Sequence, residues 1–142
     1  MEPRDLLLAC LAAAGGEPFQ PVHIQKMLFI AQEVVGDATG KPFVFVPYNY
    51  GPFCTDVYST LDALAVDEMV EIIGQPCTPG RIYRSSKKGL EEGQTILGKM
   101  DPEASQYLVD LAKWVRSQSF RELVSAVYKE YPAMAERSIF FR

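Results

Sequence analysis

The chain has 142 residues, 48% of them apolar, and a formal net charge of -4. That length suits one folded unit with a sizeable core, and the surplus of acid works against a general grip on nucleic acid, which comes from Lys and Arg neutralising phosphates. The longest apolar runs, such as Leu6 to Ala14, fall short of the ~20 residues a membrane span needs. The start Met1-Glu2-Pro3-Arg4-Asp5 also lacks the basic flank of a secretory leader, so the expected location is cytoplasmic, with no membrane partner. Cys10, Cys54 and Cys77 are odd in number and have no Cys-x-x-Cys spacing, which leaves them as ordinary buried or half-buried thiols rather than a disulfide or zinc framework.

In chain order, a first helix is expected from Pro3 to Ala14, opened by proline and stopped by Gly15-Gly16. A second, central helix runs from Pro21 to Val35, where Ile24, Met27, Leu28, Ala31, Val34 and Val35 recur at the spacing of one buried face, until Gly36 ends it. Phe43-Val44-Phe45-Val46 reads as a short strand between Pro42 and Pro47, away from any central sheet position. Thr55 or Cys54 opens a third helix with Asp56 in its first turn and Val57, Leu61 and Leu64 inside, and Val66 to Val70 can add a further turn. Glu71-Ile72-Ile73 pairs with Arg81-Ile82-Tyr83-Arg84 across Pro76-Cys77-Thr78-Pro79-Gly80, and Ser86 caps a fourth helix. Asp101-Pro102 and the capping box Ser119-Phe120-Arg121-Glu122 start two more helices, the second ending at Pro132. The expected fold is α+β and mostly helical. It is one domain over 1–142: a winged-helix-like core at about 3–99 with a long aromatic connector and a β-hairpin wing, then two carboxy-terminal helices at about 101–131.

The connector carries the densest signal, Tyr48-Asn49-Tyr50-Gly51-Pro52-Phe53, in which a free and a rigid backbone position stand side by side and shape a corner. Three blocks together resemble the Panacea-domain (SocA-like) antitoxin family and its uncharacterised stand-alone bacterial relatives. Lys26-Met27-Leu28-Phe29-Ile30-Ala31-Gln32 is similar to that family's Lys-Leu-Leu-Tyr-type helix, Tyr50-Gly51-Pro52-Phe53 to its Gly-Pro corner, and Val57-Tyr58 with Leu61 to the helix that follows. The likeness covers roughly residues 20 to 90. Its Tyr-x-Tyr-Gly-Pro-Phe pattern is nearer the stand-alone relatives than the antitoxins, which carry a tryptophan nearby. The resemblance implies a bacterial or phage-linked protein that works by binding another protein, a toxin among the candidates.

Two functions compete on the residues themselves. A helix-turn-helix joins its helices by about 3 to 4 residues, whereas here Gly36 to Cys54 intervene. The would-be reading helix, Thr55 to Asp62, has no Lys or Arg and two aspartates, which repel phosphates. Tyr48, Tyr50, Gly51, Pro52, Phe53 and Tyr58 are therefore the candidate partner-binding residues, the rings being the amphipathic anchors that dominate interfaces. The same rings would otherwise pack the connector onto the second helix. The alternative is a winged-helix DNA-binding regulator using Arg81, Arg84, Lys87 and Lys88 as wing contacts, a cluster that also reads as a solvated wing.

His23, the sole histidine, has no nucleophile partner and reads as a capping or packing residue. Cys54, near a helix start, reads as an unreactive buried thiol. Asp67-Glu68 and Glu91-Glu92 are adjacent pairs that diverge on a helix, so no metal or acid-base pair is expected, and no cofactor. The tail Ile139-Phe140-Phe141 is an apolar patch that docks within the chain or onto a second copy in a homodimer.

Overall fold

A computed structural model describes all residues except 77, 79, 141 and 142. The architecture is mostly helical with two separate antiparallel hairpins, the α+β class expected. Helix α1 (Pro3–Ala12) is buried along almost its whole length from Leu6 onward. It shares the central position with α2 (Pro21–Val34), whose buried stretch runs from His23 to Gln32. The link between them makes a one-residue bridge in which Phe19 and Tyr83 exchange both backbone hydrogen bonds, at 2.8 and 2.9 Å.

The second helix stops at Val34, one residue short of the expected Val35. Gly36 opens a one-turn helix, α3 (Gly36–Thr39), and the left-handed stop is Gly40 with φ 75°. Val34, expected on the buried face, is 52% exposed, and Gln32 is buried in its stead. The strand expected at Phe43 to Val46 lies further on, at β1 (Val46–Tyr48), paired with β2 (Gly51–Phe53). Register explains the shift: Pro47 faces Pro52, and two residues without N–H groups fit only the pair of an antiparallel ladder that exchanges no bonds. Phe43 is buried instead, and Phe45 sets its ring edge-on to Phe29 of α2 at 5.6 Å.

Helix α4 (Thr55–Val66) buries Val57, Leu61 and Leu64 as its spacing predicts. A turn follows in place of the extra helical residues, with Glu68 left-handed at φ 61°, and β3 (Val70–Ile73) pairs with β4 (Ile82–Ser85), Val70 facing Ser85. Ser86 caps α5 (Lys87–Lys99) by accepting from the Gly89 N–H at 3.0 Å. The close crossing of α5 on α1 requires Gly93, where a Cβ would come within 2.5 Å of the Leu8 carbonyl oxygen and of Ala12. Asp101 caps α6 (Pro102–Ser117), and the Ser119/Glu122 capping box opens α7 (Phe120–Glu130) as the sequence indicates. A 3₁₀ turn, Pro132–Ala135, completes the chain's described helices. Three main helices, a hairpin and a further helix follow the order of a winged helix. Among the described residues no helix is long and apolar enough to cross a membrane.

Candidate functional site

The connector between α2 and α4 is fastened by buried polar side chains of α2. Gln25 accepts from the Cys54 N–H at 3.0 Å and donates to the Cys54 carbonyl at 2.9 Å. Two turns on, Gln32 does the same for Phe43, accepting at 2.9 Å and donating at 2.8 Å. Each amide thus supplies the pair of bonds a neighbouring strand would, so both ends of the connector are hydrogen-bonded although no sheet continues there. Between the clamps lies Lys26, 4% exposed, whose ammonium donates to the Pro52 carbonyl at 3.2 Å. Burial pulls its pKa down to about 8, because a charged amine loses its hydration there.

Held in this way, the six-residue corner is a tight β-hairpin. Tyr48 pairs with Gly51 across Asn49-Tyr50, and Gly51 takes φ 103°, a conformation that favours glycine. Gly51 is also where the hairpin crosses Tyr128: a Cβ there would stand 3.1 Å from that ring. The hairpin tip accepts one more backbone bond, from the Ile139 N–H to the Asn49 carbonyl at 3.0 Å. The described part of the tail therefore docks within the chain, with Phe140 against Phe120 and Tyr128; Phe141 lies outside the described residues.

The six candidate binding residues separate into two groups. Gly51 and Pro52 are buried and brace the hairpin; Phe53 and Tyr58 are half-buried. Tyr48 and Tyr50, at 49% and 41% exposed, stand out from it. Their rings continue into two aromatic rows. One runs Tyr48, Phe53, Tyr58, Tyr83 at 5.1, 5.9 and 6.5 Å between centroids. The other starts from Tyr50 edge-on to Phe120 at 5.0 Å. Pro21 and Val22 at the start of α2 join Tyr48, Tyr50, Phe53, Tyr58 and Phe120 around a cavity of about 230 Å³, which Lys26 also lines. Its lining contains no carboxylate.

The second hairpin differs in its charge. Arg81 donates to the Tyr83 hydroxyl at 2.9 Å and lies 4.0 Å from Asp62; Arg84 pairs with Glu71 across the strands at 3.3 Å. Lys88 donates to the Asp67 carbonyl at 3.4 Å, and Lys87 is exposed. The outward face of α4 carries Asp56 and Asp62, and its Ser59 and Thr60 hydroxyls donate back to the Asp56 carbonyl. Of the four cations, Arg81 and Arg84 thus stand by carboxylates, while Lys87 and Lys88 lie at the exposed start of α5.

His23 is a capping residue. Its Nδ1 accepts from the Gln20 N–H at 3.2 Å, which leaves Nε2 as the donor to the Gln118 carbonyl at 3.0 Å. Burial holds its pKa below the usual value, the bond to Gln118 opposes that, and the charge of Arg116 adds to it. Cys10 and Cys54 are buried free thiols, and burial pushes Cys10 up to about 12; Cys77 lies outside the described residues. Glu92 pairs with Arg4 at 2.7 Å rather than with Glu91. Among the described residues no group of His, Cys, Asp and Glu is placed to hold a metal.

Two further hollows flank α6. An apolar groove of about 510 Å³ between α2, α6 and α7 exposes Val34 and Trp114, with Asp110 and Glu130 in its lining. A neighbouring one near α3 includes Asp37, Asp101 and Glu103.

No protein-family model matches this chain, and no curated protein resembles it closely enough to serve as a relative. The site residues that periodicity did not reveal are Gln25, Lys26 and Gln32. The available signal was polar side chains on the core-facing side of an otherwise apolar helix, with Gln25 and Gln32 one heptad apart.

Proposed function

We propose that this chain is a non-enzymatic regulatory module that recognises another protein through the β1–β2 hairpin. The observation that carries the reading is the exposure of Tyr48 and Tyr50 on a hairpin fixed from beneath by Gln25, Lys26 and Gln32. Large aromatic anchors are worth most to an interface when little ordering remains to be done on binding. A toxin is one partner of the kind implied by the Panacea-like blocks, and an antitoxin-like or adaptor role in the cytoplasm is consistent with them. Capture of partners from native cell extract by the full chain, compared with a Tyr48→Ala/Tyr50→Ala variant, tests the reading. Neither side chain belongs to the buried core, so the variant is expected to keep its fold, which circular dichroism checks. A partner held by the wild type and lost by the variant supports it; identical partner sets contradict it.

The second reading, a winged-helix DNA-binding regulator, is favoured by the order of the elements and by Lys87 and Lys88 at the exposed start of α5. Its weakness is the pairing of Arg81 and Arg84 with carboxylates and the acidic outward face of α4.

A further inference from the structure

Lys26 is a buried ammonium that the fold leaves incompletely matched. It has three N–H donors and one acceptor among the described residues, the Pro52 carbonyl, with no carboxylate in ion-pair range. A buried charge is ordinarily paired, and this chain has 18 acidic residues from which to supply a partner. Arg4, Arg81, Arg84 and Arg116 all have one. Lys26 instead lines the cavity under the hairpin, whose lining holds no acid. Tyr48 and Tyr50 line the same cavity, and their hydroxyls have no hydrogen-bond partner among the described residues. The volume of about 230 Å³ exceeds the roughly 150 Å³ that accepts a benzene molecule in an apolar site, so one side chain and its carboxylate fit.

We propose that this cavity receives a carboxylate of the partner polypeptide, paired with Lys26 and hydrogen-bonded by the tyrosine hydroxyls, while the adjoining apolar side chain lies against Phe53 and Phe120. This rests on the reading of the hairpin as a protein-binding surface and specifies what the partner must present. Lowered basicity of Lys26 agrees with a site that is short of negative charge when empty. The aromatic walls explain why an apolar group accompanies the acid: they exclude water and so strengthen the ion pair.

Calorimetric titration of the full chain at neutral pH with three probes tests it: N-acetyl-phenylalanine, its neutral carboxy-terminal amide, and amidated acetyl-Asp-Phe. The expected result is a dissociation constant on the order of a millimolar for at least one carboxylate probe, with the neutral amide about tenfold weaker or worse. Preference for the first probe assigns a chain terminus, and preference for the third an acidic side chain; either supports the site. Lys26→Met must abolish the discrimination. Equal binding of charged and neutral probes, binding of none, or discrimination that survives Lys26→Met overturns the proposal. Should that variant fail to fold, NMR titration of the wild-type Lys26 ammonium replaces it: its pKa must rise on adding a bound probe, and an unmoved value overturns the site. The probes need no natural partner. Failure here with partner loss in Tyr48→Ala/Tyr50→Ala would therefore leave the hairpin reading intact and remove only the carboxylate.

Discussion

The molecule contains two antiparallel hairpins of similar size that are stabilised in opposite ways. The wing, β3–β4, closes its arginines on nearby carboxylates, Arg84 on Glu71 across the strands and Arg81 toward Asp62 of α4. The aromatic hairpin, β1–β2, hangs on buried polar groups of α2 and leaves tyrosines outside. Surface pairs in water contribute little, whereas a buried amide that satisfies two backbone groups is costly to remove. Under the proposed function, the recognition surface is the hairpin fixed from beneath and not the wing.

The largest expected effect lies beneath the aromatic hairpin. Gln25→Leu keeps the volume but strands the Cys54 N–H and carbonyl, and should cost about 2–5 kcal/mol in denaturant unfolding. A loss below about 1 kcal/mol would break the contrast between the hairpins.

Lys26 sharpens the same contrast through pH. Its folded pKa of about 8 lies below the ordinary 10.5, so the unfolded chain holds more protons between those values. Stability should rise as pH climbs through that window, by about 3 kcal/mol in total. A Lys26→Met variant should lose that portion of the slope, which unfolding at several alkaline pH values would measure.

His23 titrates at lower pH; its neutral ring ties the start of α2 to the Gln118 segment just ahead of Phe120, two walls of the aromatic cavity. Since its folded pKa lies below 6.5, its contribution is complete above about 6.5 and declines as pH falls from there toward the folded value. His23→Gln should flatten that part of the thermal stability profile. The smallest effect belongs to the wing: Arg84→Ala should change stability by less than about 1 kcal/mol, and a larger loss in denaturant would mean that the two hairpins are held alike.

What the sequence disclosed follows from how local each signal is. The caps at Ser86, Asp101 and Ser119 were legible because a helix start is decided within four residues. The inner face of α4 was legible for a similar reason, since Val57, Leu61 and Leu64 report a single period. The aromatic connector is recognisable as a shaped segment, yet its strand lies later than Phe43 to Val46, because Pro47, a boundary by sequence, sits within the ladder opposite Pro52, which only the pairing reveals. For Gln25, Lys26 and Gln32 the only sequence signal is their place on the core-facing side of an apolar helix; their partners, backbone atoms of Cys54, Pro52 and Phe43, are brought there by the fold.

The claim that recognition belongs to the aromatic hairpin and not to the wing is tested most directly by titrating labelled random-sequence duplex DNA with the full chain at low salt. The account predicts no binding at micromolar protein, because the wing's arginines are paired and the adjoining helix face is acidic. Micromolar affinity that weakens steeply with salt, and that falls in a Lys87→Ala/Lys88→Ala variant, would contradict it.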